Sequence, residues 1–378
     1  MDVVRSATLI LCLLPAVCGC ESLGATIAHA AVAPAAPRAE APTTRRLPPL
    51  VLRARLPEHA GPERDRGFLG QPEQALLEWL RRGPVARVEK GGGGRSLGFK
   101  LELKDGTRGY FKPEQSFSGT NWYAELATMH LDRALGLHRV PPSVSRTLPW
   151  KRLSPLAAGD RRRAEVAVGD DGKVRGVFTH WLAEPLGRAK TPPGFENWLR
   201  VKPFERWEIS PLQRSASFGA AHRMRSERLE RGQSAGRHYN KVPEPTDPAL
   251  PADLSDMLLL DYLTVNVDRW GGNNGNVRTY GRGGPLIFFD NAAGFSPGPA
   301  VRSMMERRLA LCQRFRKSTV EALKALDMQA FEKRIRRDPN GPLLDQAMLE
   351  GLEVRRQRAL SHVAALVEAH GAEAVLPW

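Results

Sequence analysis

Cysteine is nearly absent from this chain. Four occur in 378 residues, and three of them, Cys12, Cys18 and Cys20, crowd into the first twenty positions. Cys312 stands alone in the remainder, so no intramolecular disulfide is expected there and packing must hold the fold. Long apolar runs are also scarce: the N-terminal one, Ala7 to Val17, is too short to span a bilayer. No Gly-Lys-Ser/Thr ending opens a helix, which excludes a Walker A phosphate loop. No zinc-finger, homeodomain or RNA-binding aromatic signature occurs, so nucleic acid is not an expected partner. No repeat of solenoid length is present. Acidic residues are the minority, 41 against 56 basic ones, leaving a net charge of +15. Arginine far outnumbers lysine and the excess is spread along the chain, which reads as composition. A localised patch would instead attract an anion such as a nucleotide, an acidic protein or a lipid headgroup.

What is present begins with an export pattern. Arg5 supplies a weak basic start, the apolar stretch follows, and it stops at Val17-Cys18-Gly19-Cys20. That looks like a bacterial lipobox, with Cys20 lipidated after cleavage; the alternative is an ordinary signal peptide cut near Ala28-His29-Ala30. Residues 1–20 are therefore expected to be a signal peptide and residues 21–70, rich in Ala and Pro, a disordered tether. The expected location is the bacterial cell envelope, with the chain lipid-anchored through Cys20 or secreted to the periplasm, as a monomer.

The remainder is long enough for a two-lobed α+β core. The first lobe is expected over 71–183. EQALLEWLRR has helical spacing, and VARVEK, LGFKLELKDG and TRGYFKP alternate like strands, with a hairpin turn at Lys104-Asp105-Gly106-Thr107. NWYAELATMHLDRALG predicts an amphipathic helix with Leu126, Met129, Leu131 and Leu135 near one face and Gly136 as its stop. RVPPSVSRTLPW reads as extended, and a further hairpin is expected around Asp170-Asp171-Gly172. The second lobe, over 184–378, reads as mainly helical. Its expected helices are Leu254–Val265 with Ser255 as N-cap, about 300–316, 318–335 opened by a capping box at Ser318-Thr319-Val320-Glu321, and 344–370. The run 226–248 ahead of them predicts a mobile polar loop.

The chemistry concentrates where that helix ends. DYLTVNVDRWGGNNGNV at 261–277 is followed by LIFFDNAAGF at 286–295, so Asp268 and Asp290 stand at the ends of buried elements with carboxamides between them. Phosphoryl transfer needs one carboxylate to orient or deprotonate an acceptor hydroxyl, and a carboxylate plus an Asn to hold a divalent metal. Asn273 has the spacing of a kinase metal Asn, whereas Asn276 has its strand-edge context and is preferred. Upstream, Gly92, Gly93 and Gly94 lie between two strand-like runs, where backbone amides can approach phosphate oxygens. Lys112 on the next strand and Glu125 on the following helix complete the kinase order of glycine loop, Lys, Glu.

These residues resemble the secreted atypical kinases of the Four-jointed and Golgi casein kinase family. The similarity rests on Tyr110-Phe111-Lys112-Pro113, HLDRALGLHRVPP (130–142), LLLDYLTVNVDR (258–269), FFDNAAGF (288–295) and CQRFRKSTVEAL (312–323), in the same order. The resemblance implies a two-lobed kinase-like fold with ATP between the lobes. It places Lys112 on phosphate, Glu125 near phosphate or metal, Asp268 as the catalytic acid–base residue and Asp290 on Mn²⁺ or Mg²⁺. It also implies a protein or glycan hydroxyl as acceptor; the alternative is a catalytically inactive, kinase-like binding lipoprotein. Secreted animal members are disulfide-bonded, and Cys312 stands where one of their cysteines falls, without a partner here.

Overall fold

The structure, a computed structural model, describes residues 66–116, 121–192, 194–203, 210–212, 244–270, 275–295 and 299–378. The expected signal peptide, its lipobox at Cys20, residues 21–65 of the expected tether, Asn273 and most of the 226–248 loop lie outside the described residues; residues 66–70, also expected in the tether, are instead ordered, with Phe68 and Leu69 buried.

Five strands build an antiparallel sheet: β1 (Val85–Lys90), β2 (Phe99–Leu103), β3 (Arg108–Pro113), β4 (Ser143–Pro149) and β5 (Lys173–His180), in the order β1-β2-β3-β5-β4. Strand alternation sends Phe99, Leu101, Leu103, Phe111, Val144, Leu148 and Phe178 to one face, which packs with Leu80 of helix α1 (Gln74–Arg82). The β2–β3 turn forms where expected. Gly106 takes φ 86°, and the Asp105 carboxylate accepts from both the amide and the hydroxyl of Thr107, at 2.9 and 2.7 Å.

The expected hairpin around 170–172 is a turn without a first arm. Arg161–Glu165 is a 3₁₀ turn, and β5 pairs with β3 and β4 instead. The one apolar side chain in RRRAE, Ala164, is small and exposed, whereas β4 brings Val144 and Leu148 to the core. Helix α2 (Trp122–Ala134) stops at Gly136, φ 65°, as expected. It is not amphipathic. The four apolar residues assigned to one face are buried, and so are Trp122, Ala124, Glu125, Ala127, Thr128 and Asp132, because the helix runs between the sheet and the helical part.

The helical part contains α3 (Leu250–Thr264), α4 (Pro299–Leu311), α5 (Lys317–Ala325), α6 (Met328–Arg336) and α7 (Gln346–His370), with a small sheet of β6 (Leu186–Arg188), β7 (Arg278–Tyr280) and β8 (Leu286–Ile287) at its edge. No helix among the described residues is long and apolar enough to cross a membrane.

Three helix boundaries differ from expectation, each for a local reason. Helix α3 starts at Leu250, not Leu254, because Asp247 accepts the amides of Ala249 and Leu250 and Pro251 sits in the first turn. Ser255 is therefore mid-helix, and its hydroxyl donates to the Arg314 carbonyl at 2.9 Å. The expected 300–316 helix ends at Leu311, and the following residues run back along the core, with Gln313 and Arg314 donating to the Leu199 carbonyl. The expected 318–335 helix is two helices, α6 being restarted by Asp327, which accepts from the amides of Gln329 and Ala330. The capping box at 318–321 is not made: Thr319 donates to Asp256 at 2.7 Å across the core.

Helix α3 organises this half. All fifteen of its residues are buried, so its polar side chains need partners inside the protein. Arg316 reaches Asp253 at 2.7 Å and Asp256 at 2.6 Å, and the fully buried Arg269 reaches Asp261 at 3.1 Å. Cys312, a free thiol, is buried beside it, donates to the Arg314 carbonyl at 3.3 Å, and burial pushes its pKa up to about 12.

Two tests follow from this packing. Replacing Arg269 by Ala strands the Asp261 carboxylate in the core and should cost about 3–5 kcal/mol in denaturant unfolding. Burial lowers the pKa of His130 and of His180 from 6.5 to about 4. A lowered histidine pKa means that the unfolded chain binds protons more readily below the ordinary value, so this contribution is intact above pH 6.5 and is lost as pH falls toward 4. Each group should account for ~1–3 kcal/mol over that window. The double variant His130→Gln, His180→Gln should lose visibly less thermal stability than the parent across the same range; equal losses would refute the assignment.

Candidate active site

Alternation along β3 sends Phe111 and Pro113 into the sheet core and leaves Tyr110 and Lys112 on the opposite face. The Lys112 ammonium there lies 3.0 Å from Glu125, in the first turn of α2, and 2.7 Å from Asp290. Burial opposes its charge, but the two carboxylates outweigh it and hold its pKa above the ordinary value. The Asp290 carboxyl is in turn held below the usual carboxylate range, chiefly by Lys112. The second Glu125 oxygen accepts the Asn291 amide at 2.9 Å, so one helical carboxylate positions both the lysine and the loop that carries Asp290.

Asp268, exposed, and Asp290, half-buried, are each the neighbour of a fully buried residue. Arg269 donates to Asp261, to the Phe289 carbonyl and to Asn291 Oδ1, the last at 2.6 Å. Asn291, also fully buried, donates to the Phe288 carbonyl at 2.8 Å and accepts from Asn266 at 3.3 Å. Asn266 accepts the Asp268 amide at 3.3 Å. The two loops are thus locked together behind the two aspartates. Val265, Asp290 and Phe295 all take φ of 57–58°, a region that non-glycine residues seldom occupy. Three such residues in these two loops mark backbone strain that the network sustains.

The Asn276 amide nitrogen lies 3.4 Å from Asp268 Oδ2 and 3.4 Å from Asp290 Oδ2, joining the carboxylates. Burial, then the charge of Asp290, raises the Asp268 pKa. Arg269, its neighbour in sequence, forms its ion pair with Asp261 and not with Asp268.

The cleft has two ends that share Tyr110, Lys112 and Asp290. The polar end, about 470 Å³, is lined by Gly92, Gly93 and Gly94 above and by Asp268, Asp290 and Ala292 below. The apolar end, about 570 Å³, is lined by residues that include Val140, Pro141, Leu182, Leu186 and Phe289. A side chain at Gly92, Gly93 or Gly94 would meet nothing within 4 Å, so these three are open to the cleft. Gly91 and Gly98 differ, since a Cβ there would fall 2.3 and 2.4 Å from the Tyr110 side chain. They let the loop stem lie on that ring.

The structure therefore brings Gly92, Gly93, Gly94, Lys112, Glu125, Asp268, Asn276 and Asp290 to one cleft; Asn273 is outside the described residues. Among the described residues, no group of three or more His, Cys, Asp or Glu is arranged to hold a metal by itself. The donors that face the cleft are carboxylate and carboxamide groups, hard ligands suited to Mg²⁺ or Mn²⁺ when phosphate oxygens and water complete the shell. The sequence reading missed Arg269 and Asn291. The signal for them was Asp261, a charge inside the apolar run LLLDYL that had to find a buried partner.

Residues 229–375 match the family model described as Golgi casein kinase, C-terminal, Fam20. Among curated proteins, the chain is 26% identical over 341 residues to the glycosaminoglycan xylosylkinase of Danio rerio, covering 80% of this chain and 77% of that protein. It is 24% identical over 354 residues to the Homo sapiens extracellular serine/threonine protein kinase FAM20C, covering 80% of this chain and 56% of that protein. The crystal structure of the Golgi casein kinase with Mn/ADP bound superimposes with a TM-score of 0.56 at 20% identity, over 82% of this chain and 80% of that one. Residues 229–375 thus resemble the Fam20, or Golgi casein kinase, family, and the fold is kinase-like, as in the solved Golgi casein kinase.

Proposed function

We propose that this protein is a metal-dependent kinase that moves the γ-phosphoryl group of ATP to a hydroxyl of a protein or glycan. The observation that carries this reading is the convergence of Lys112, Glu125, Asp290, Asn276 and Asp268 beneath an open glycine loop, beside an apolar pocket. The apolar end suits a purine and the polar end a triphosphate. Lys112, held by Glu125, would meet phosphate oxygens. Asp290 and Asn276 would hold Mn²⁺ or Mg²⁺, with Asn273 as the alternative amide; the ion would neutralise charge on the phosphates.

The Asp268 carboxylate would orient the acceptor hydroxyl and take its proton as the oxygen bonds to the γ-phosphorus and ADP leaves. Its raised pKa suits it to accept a proton, while Asp290 stays ionised beside Lys112. Holding two carboxylates against one amide works against folding. A protein that only binds a partner has no use for that arrangement, which favours catalysis over the inactive alternative. The xylosylkinase and protein-kinase relatives have similar identities to this chain, and together they support both glycan and protein hydroxyls as acceptors. Export, with a lipid anchor at Cys20, would place the monomeric enzyme in the cell envelope.

The test is nucleotide binding and turnover by the mature chain. ATP with Mn²⁺ or Mg²⁺ should raise the melting temperature, and Asp290→Ala should abolish that shift. Asp268→Ala should keep the shift and lose about 10²–10⁴ in transfer from γ-labelled ATP to envelope extract. Absence of a shift with either metal at millimolar nucleotide would sink the proposal, and turnover within a few-fold for Asp268→Ala would overturn the role of that residue.

A further inference from the structure

A run of four glycines is a poor roof for a phosphate site, because each glycine loses the most backbone freedom on being ordered. In this chain the loop between β1 and β2 is nevertheless fastened along its length, and most of the fasteners come from one place, the 3₁₀ turn Arg161–Glu165 in the connection from β4 to β5. The Arg162 guanidinium donates to the carbonyls of Gly94, Ser96 and Gly93, at 2.9, 3.2 and 3.4 Å. Its other two nitrogens fork onto Asp160, at 3.0 and 2.7 Å. Asp160 also holds Lys90, the last residue of β1, at 2.7 Å. From the same turn, Glu165 takes a fork from Arg95, with both contacts at 2.7 Å. The second stem is closed by Gln115, which receives the Leu97 amide at 2.7 Å and returns a bond to its carbonyl at 3.1 Å.

The direction of these bonds matters as much as their number. In a trans peptide the N–H points opposite to the C=O. Carbonyls of Gly93 and Gly94 turned toward Arg162 therefore turn the amides of Gly94 and Arg95 away from it. Gly93, Gly94 and Arg95 line the polar end of the cleft, whereas Arg162 does not.

We infer that Arg162 is a positioning residue: anchored by Asp160, it collects the outward carbonyls of the glycine loop and so presents the loop amides to the phosphates of the nucleotide. The phosphate role of the loop rests on the kinase reading above; the clamp itself is a property of the protein without nucleotide. Arg162 touches neither the reacting atoms nor the two aspartates. Its loss should weaken nucleotide capture and leave the transfer step nearly intact.

The mature chain tests both parts. Arg95-Ser96 is a tryptic bond inside the loop and reports its opening without any ligand. In Arg162→Ala, cleavage there should quicken by about tenfold while the temperature of global unfolding stays close to that of the parent. The KM for nucleotide should rise by about tenfold with kcat within about threefold, and the KM for acceptor should not move. Arg162→Lys, which keeps the charge but lacks the fork, should fall between the parent and the alanine variant. Unchanged cleavage, or a loss confined to kcat, would overturn the inference. A parent chain that binds no nucleotide would overturn the kinase reading and with it the phosphate role, and the cleavage rates alone would then decide the clamp.

Discussion

A guanidinium shut away from water must be neutralised and hydrogen-bonded where it lies, and at Arg269 the surrounding chain is arranged to do so. Its partners come from two places distant in sequence: Asp261 on helix α3, and the Phe289 carbonyl and Asn291 side chain on the loop after β8. Satisfying one buried charge therefore fastens two loops to each other. Asp268 and Asp290 each precede a member of this buried pair, and the chain turns them outward on the same side. The separation of structural and cleft-facing roles within Asp268-Arg269 and Asp290-Asn291 places both carboxylates within reach of the one Asn276 amide.

The sheet enters through a second shared charge. Lys112 is the contact of β3 with this assembly, and Glu125 divides its two oxygens between that lysine and the Asn291 amide. The cleft carboxylates are pushed in opposite directions as a result. Asp290, beside the ammonium, is held ionised; Asp268, desolvated and facing Asp290, is shifted toward its protonated form. Two like groups with divergent proton affinity suit the acid–base and metal-holding roles proposed for them. The glycine loop above them depends on a third set of charges, Lys90, Asp160 and Arg162, which lies outside the cleft.

Much of this was legible in the chain itself. Alternation revealed the strands that carry Lys112, and the Asp105-Gly106 turn fell where its residues require it. The order of glycine loop, Lys112, Glu125, Asp268 and Asp290 by itself points to phosphate chemistry. Two of the misses share a cause. Ser255, Thr319 and the 161–165 segment have local propensities for a cap, a capping box and a strand arm, yet Ser255 and Thr319 spend their hydroxyls on Arg314 and Asp256 across the core. The 161–165 segment instead folds as a turn over the glycine loop. At Ser255 and Thr319 the local rule lost because a polar group across the core needed the same hydroxyl.

The sequence by itself determined which residues are chemically competent and in what order they occur, because side-chain type and hydrophobic period are local properties. It also determined that α3 would be buried, since a run such as MLLLDYL has no polar face to offer water. Tertiary structure alone decided which of the competent residues meet. The pairing of Arg269 with Asp261 rather than Asp268, the central place of Asn291 and the reach of Arg162 to the glycine loop depend on partners that are 8, 22 and 68 positions apart for the bonds concerned. Satisfaction of a buried charge or carbonyl is a constraint on position in space, and sequence period carries no record of it.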